Sequence, residues 1–184
     1  EEEVVVELPE DYVESAIVTE ELTDAFSGNR FALAQFAGRP ILVQMFTLRC
    51  GNCEETQNLI RDEIIAELGT EDYVFVTLST NSSDRLQDIV AYAEEGEYDW
   101  TFARIQANTQ FTLRRVFGSA GDNGAGSARF FVAPNGELSE LEVGIIDPAA
   151  AIETLQSLAA DDAGDAEASG DEEAMDEDAE ATPE

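Results

Sequence analysis

Cys50 and Cys53 are the only cysteines in this chain, and they stand where a continuous apolar run meets a segment of helical periodicity. The run Ile41-Leu42-Val43-Gln44-Met45-Phe46 reads as a buried strand. Residues 54–68 then place Leu59, Ile60, Ile64, Ile65 and Leu68 at helical spacing. The pair therefore lies at a strand-to-helix junction, with Cys50 at or just before the first helical turn. Free backbone N–H groups and the positive end of the helix dipole favour a thiolate there, and Arg49 adds a positive charge. Two thiols at this spacing can cycle into a disulfide.

Other readings of the pair are weaker. A structural zinc site takes about four ligands, usually Cys or His, and the chain has no histidine and no third cysteine. A structural disulfide stabilises chiefly by closing a long loop, and this ring closes almost nothing. Two unrelated core cysteines remain as the bland alternative, against which the flanking strand and helix argue.

Charge narrows the setting. The chain carries 41 acidic residues against nine basic ones, all arginine, for a formal net charge of -32. Twelve of the acids lie in residues 161–184, which leaves the body at -20. An acidic surface without lysine suits molar salt, where counterions screen self-repulsion, so a halophilic host is expected. The same charge argues against nucleic acid and anionic membrane surfaces as partners. Residues 161–184 are built mostly of Ala, Gly, Asp and Glu and cannot form a core, so they read as a disordered acidic tail. Residues 1–14 read as an acidic extension and 15–160 as a single domain. No apolar run reaches the length of a membrane span, and the opening Glu1-Glu2-Glu3 is too polar for a signal peptide. The absence of an initial methionine leaves room for a removed export signal or lipid anchor.

Within the domain, Ser15–Thr19 and Phe31–Leu33 suggest an N-terminal hairpin about the turn-rich stretch 24–29. Pro40 precedes the first long strand. Tyr73–Leu78 is a second continuous apolar strand of the kind buried in a parallel sheet. Ser83-Asp84 reads as the cap of a helix that ends near Gly96. Trp100–Ile105 reads as a strand, and Thr109–Phe117 as a helix with Phe111, Val116 and Phe117 inward. Pro134-Asn135-Gly136 between apolar runs signals a hairpin from Phe130–Val132 to Leu138–Ile146. A last helix runs from Pro148 to about Leu158. The alternation predicts an α/β fold, a central mixed β-sheet flanked by helices. Phe46, Phe75, Phe102, Phe111, Phe117, Phe130 and Phe131 read as core. The doublet Arg114-Arg115 reads as paired with surrounding acids.

Residues 17–158 resemble the thioredoxin fold, within it the extracytoplasmic TlpA-like and Sco-like branches. The stretch Gly28 to Phe46 followed by the CxxC resembles the opening of TlpA-like proteins in order and spacing. Asp99-Trp100-Thr101-Phe102 and the Pro134-Asn135-Gly136 hairpin resemble positions of Sco-like proteins. The resemblance implies a thiol-disulfide oxidoreductase in which Cys50 attacks and Cys53 resolves, with Arg49, Gly51 and Asn52 tuning the dithiol. Its partners would be protein dithiols or disulfides and a redox partner, with no metal and no cofactor. It also implies a location outside the cytoplasm, with a cytoplasmic one as the alternative.

Departures from the family pattern are specific. Arg49 replaces the usual aromatic residue, and Gln44 replaces the buried acid that thioredoxins place six residues before the first cysteine. Proton transfer to Cys53 must then come from elsewhere, and the neighbouring Glu54 and Glu55 read as a solvated face. The family's cis-proline should fall near Ser127 or Ala128, and neither is proline. A Sco-like copper site needs a histidine where this chain has Ala125 and Gly126, so copper binding or a redox-inactive docking module stands only as the alternative. Met45, a soft ligand type, reads as core.

Overall fold

Side-chain parity along residues 41–46 sets the two faces of the sheet in the computed structural model, which describes residues 8–121 and 126–168, with side chains described to residue 160. The strand β3 (Ile41–Phe46) is buried at all six positions. Ile41, Val43 and Met45 pack into one core with Val76, Leu78, Phe130 and Val132. Leu42 packs on the other side with Ile60, Ile64, Phe75 and Leu155, and Phe46 with Ile89 and Phe102. Gln44 sits between those two on the same side, a lone amide in an apolar row.

The elements are β1 (Leu22–Asp24), β2 (Arg30–Phe31), β3, α1 (Gly51–Leu59), α2 (Ala66–Leu68), β4 (Val74–Ser79), α3 (Leu86–Glu95), β5 (Thr101–Ile105), α4 (Thr109–Phe117), β6 (Arg129–Val132) and α5 (Pro148–Ala168). They form a six-stranded sheet in the order β2-β1-β5-β4-β3-β6. β3, β4 and β5 are parallel neighbours, while β6 runs antiparallel to β3 and β1 antiparallel to β5. The mixed α/β sheet expected from the sequence is thus present. Parallel strands at its centre explain the unbroken apolar runs of β3 and β4, since both faces are covered.

Several boundaries differ from the sequence reading. The N-terminal hairpin pairs Leu22 with Phe31 and Thr23 with Arg30, so its first strand is Leu22–Asp24 and not Ser15–Thr19. Residues 15–19 turn instead: Val18 N–H bonds Ser15 O, and the Thr19 hydroxyl bonds Ala16 O at 3.3 Å. Ser83 and Asp84 do not cap α3, whose N-cap is Arg85. The Asp84 carboxylate accepts from Ser79 Oγ and Asn81 Nδ2, both at 2.7 Å, and so closes the loop after β4. In α4, Thr109, Leu113 and Phe117 share one face at four-residue spacing, with Phe117 against Phe130. Phe111 is consequently 71% exposed, and Val116 is exposed as well. After β6 the chain returns through only two isolated bridges, Val132 with Leu138 and Arg129 with Glu142, instead of a strand over 138–146. Arg114 and Arg115 lie on the exposed side of α4.

The helix after the cysteines is continuous from Gly51 to Leu68, but its middle, Ile60–Ile65, is π-helical. α5 extends to Ala168, ten residues past the expected end, so residues 161–168 are helical where a disordered tail was expected; five of residues 159–168 are alanine, the best helix former. The readings that concern residues 1–7, Ala125 and 169–184 fall outside the described residues. Among the described residues no helix is long and apolar enough to cross a membrane.

Candidate active site

Cys50 is the N-cap of α1, in extended conformation, and joins Cys53 in a disulfide. Arg49, just before it, is exposed and takes a left-handed backbone (φ 73°) that redirects the chain from the end of β3 into the helix. Left-handed non-glycine residues carry strain of about 1–2 kcal/mol and gather at functional sites. Cys50 Sγ accepts the backbone N–H of Cys53 at 3.2 Å, while the N–H groups of Cys53 and Glu54 bond Cys50 O. The helix entrance therefore directs a donor at the first sulfur, an arrangement that stabilises a thiolate there when the pair is reduced.

Accessibility separates the two cysteines. Cys50 keeps 9% of its surface and Cys53 none. Gly51 and Asn52 are exposed between them, and Glu54 and Glu55 point to solvent beyond. The disulfide belongs to an apolar cluster with Ala25, Phe46, Ile89, Ala93, Tyr98 and Phe102, and partly buried Leu48 and Leu86 pack on this cluster. Phe46 stacks on Tyr92 with ring centres 5.3 Å apart, and Phe102 meets Phe46 edge-on at 5.8 Å. An apolar cluster of this kind excludes water from one side of the sulfur pair.

Behind the disulfide lies a buried polar network that the sequence reading did not assemble. Gln44 Nε2 donates to Cys53 O and to Ser127 Oγ, each at 3.3 Å. Its Oε1 accepts from Gln57 Nε2 at 3.0 Å and from Thr77 Oγ1 at 3.5 Å. Tyr92 in turn donates its hydroxyl to Gln57 Oε1, and Trp100 Nε1 donates to Thr77 Oγ1 at 2.9 Å. Ser127 Oγ donates to Thr56 Oγ1 at 2.8 Å, which also accepts the Ile146 N–H at 3.4 Å. Burial pushes the Tyr92 hydroxyl well above the ordinary tyrosine value, reinforced by Tyr98 and the Glu54 carboxylate.

Thr56 and Gln57 lie three and four residues after Cys53, so the inward face of α1 was readable as polar from spacing alone. Gln44 was legible as an unmatched amide. Its partners at 77 and 127 were not, because they arrive through sheet topology.

Ser127 and Ala128, where the family's cis-proline was expected, are both fully buried, Ser127 bonded to Thr56 of α1 and Ala128 in the core on the other side of the sheet. Ser127 has a left-handed backbone (φ 53°), and Ala128 O accepts the Met45 N–H at 2.7 Å. The loop is thereby fixed to β3 without a proline. Met45 is fully buried on the opposite side of the sheet, as core. Among the described residues no three Cys, Asp or Glu side chains converge to hold a metal ion.

No protein-family model matches the chain, and no curated protein matches it in sequence. Solved structures do. A protein from Aquifex aeolicus VF5, named for electron transfer, superposes with a TM-score of 0.63 at 22% identity, over 80% of this chain and 96% of that one. A thiol:disulfide interchange protein of the thioredoxin family from Chlorobium tepidum TLS gives 0.58 at 17% identity, over 76% and 92%. The chain has a thioredoxin-like fold. A secreted disulfide oxidoreductase of Mycobacterium tuberculosis, homologous to E. coli DsbE, likewise gives 0.58 at 14% identity, over 77% and 98%. Within this thioredoxin-like frame the Cys50–Cys53 disulfide sits after a central strand, at the start of the helix that strand feeds.

Proposed function

We propose that the protein is a thiol-disulfide oxidoreductase that exchanges the Cys50–Cys53 disulfide with protein thiols, Cys50 attacking and Cys53 resolving. The observation that carries this reading is the disulfide at the N-cap of α1, with its first cysteine the more accessible and the sulfur of that cysteine accepting a helix N–H. In the reducing direction the Cys50 thiolate attacks one sulfur of a substrate disulfide. A Cys50–substrate disulfide forms, and the other substrate sulfur leaves as a thiolate. The Cys53 thiolate then attacks Cys50 Sγ, the second substrate sulfur leaves, and the 50–53 disulfide closes. Two electrons pass from dithiol to substrate. Oxidation of a substrate runs the same steps backward.

A place outside the cytoplasm of a halophilic organism completes the reading. Dithiol partners are oxidised chiefly in such compartments, one structural neighbour is described as secreted, and the lysine-free acidic composition fits high salt.

A redox titration in molar salt against a glutathione or dithiothreitol couple tests the exchange. A reversible two-electron transition is expected, with a potential near about -270 mV marking a reductant and near about -120 mV an oxidant. Cys53→Ser should accumulate mixed disulfides through Cys50, and Cys50→Ser should abolish exchange. Folded protein whose thiols never pair would overturn the reading.

A further inference from the structure

The hydrogen bonds behind the disulfide all run in one sense. Trp100 Nε1 donates to Thr77, Thr77 to Gln44, Gln44 to Ser127, and Ser127 to Thr56. Tyr92 enters the same chain by donating to Gln57, which donates to Gln44. Both branches meet at Gln44, whose second N–H goes to the Cys53 carbonyl. An amide has two N–H donors and two main acceptor sites, and here all four are used. The residue is 1% exposed, so no solvent can replace a lost partner.

From this convergence we infer that Gln44 is a positioning residue for the resolving step, holding the Cys53 backbone so that its sulfur stays aimed at Cys50 Sγ after the mixed disulfide has formed. This rests on the exchange reading above. Gln44 bonds the Cys53 carbonyl, so it acts through the Cys53 backbone. The first attack depends on Cys50, whose Sγ accepts the Cys53 N–H in a first helical turn that the N–H groups of Cys53 and Glu54 also hold through Cys50 O. The second attack depends on where Cys53 stands relative to Cys50. The two steps should therefore respond differently to loss of the amide.

Side chains of the same length separate this role from packing. Methionine fills the space without donating or accepting. Glutamate, when ionised, offers only acceptors to Cys53 O and Ser127 Oγ, which need a donor. Protonated, it recovers one O–H donor. The other titratable or charged groups around the position are Cys53 on α1, Tyr92 on α3, on which the exposed Glu54 acts by charge, and Arg129, the register partner of Gln44 on β6. The parent and the methionine variant share all of these, so only the glutamate variant gains a new titration.

The experiment follows single-turnover reaction of the reduced full chain with glutathione disulfide, reading formation of the Cys50–glutathione disulfide and its resolution separately. For Gln44→Met the formation rate should match the parent, while resolution slows about tenfold, the equivalent of one lost buried hydrogen bond. For Gln44→Glu the resolution rate, taken relative to the parent at each pH, should rise as pH falls through the carboxyl titration; a ratio that rises with pH would show the carboxylate acting as proton acceptor for Cys53 and would overturn the positioning role. Equal resolution rates in a Gln44→Met protein with parent-like near-UV dichroism would overturn the proposal, as would formation and resolution slowing together. If Gln44→Met does not fold, a pH-independent ratio for Gln44→Glu overturns it instead. A parent that forms no mixed disulfide would remove the exchange reading itself, and this role with it.

Discussion

Ser127 Oγ donates a 2.8 Å hydrogen bond to Thr56 Oγ1, across 71 positions of sequence, and so fastens the loop before β6 to the helix that carries the dithiol. Met45 N–H on Ala128 O fastens the next residue of that loop to β3. Two adjacent residues thus lock a loop against two separate elements, where a proline would fix only its own backbone angle.

Replacement of Ser127 therefore has an unusual expected order. Ser127→Ala strands the Gln44 N–H and keeps the left-handed backbone of a non-glycine residue, at a cost of about 1–3 kcal/mol. Ser127→Gly loses the same hydroxyl but relieves the backbone by about 1 kcal/mol. Glycine should be the milder change in urea unfolding. An alanine variant as stable as the glycine variant, or more so, would show that the left-handed backbone costs nothing at this position.

The sequence showed the frame of the site more fully than its interior. β3, β4, β5 and the helix after Cys50 were legible because each is a local pattern of apolar residues. Phe111 misled, because a helix shows three aromatic or aliphatic residues on overlapping faces, and only packing decides which face turns inward; the β sheet took the one bearing Leu113. Ser15–Thr19 misled for a related reason: Ile17 and Val18 are fully buried, but in a turn. The links from Gln44 to Thr77 and Ser127 span 33 and 83 residues, and no periodicity reports contacts that strand order creates.

Tyr92 should make the fold sensitive to alkali. Burial holds its hydroxyl protonated above the ordinary value of 10.0. Between that pH and the higher folded value, the unfolded chain releases a proton that the folded chain keeps, so fewer protons are bound on unfolding and stability falls as pH rises. Its contribution is complete below about pH 10 and declines above it. Urea midpoints from pH 7 to 11 should therefore drop at the alkaline end. Tyr92→Phe should flatten part of that drop while lowering the midpoint at pH 7, since Gln57 loses a donor. Tyr12 and Tyr98, shifted in the same direction by burial, should supply a remaining slope. An unchanged alkaline profile in Tyr92→Phe would remove Tyr92 as the source.

Removal of residues 161–184 separates the charge of the chain from its packing. Among the described side chains, the apolar contacts of α5 come from Ala151, Ile152, Leu155 and Leu158, all before the cut, against Ile60, Ile64 and Phe75. These contacts therefore stay although residues 161–168 of α5 are lost, and the rate of disulfide exchange should stay within about twofold of the parent. Net charge, however, falls from -32 to -20. Self-repulsion destabilises a compact state and is screened over about 3 Å at 1 M salt but over about 30 Å at 0.01 M. The shortened chain should consequently melt at a higher temperature than the parent in dilute buffer, and the difference should close as salt rises. Melting curves of both proteins from 0.01 to 2 M KCl measure this directly. A gap that persists at high salt would mean that the segment acts on the fold by contact instead of by charge.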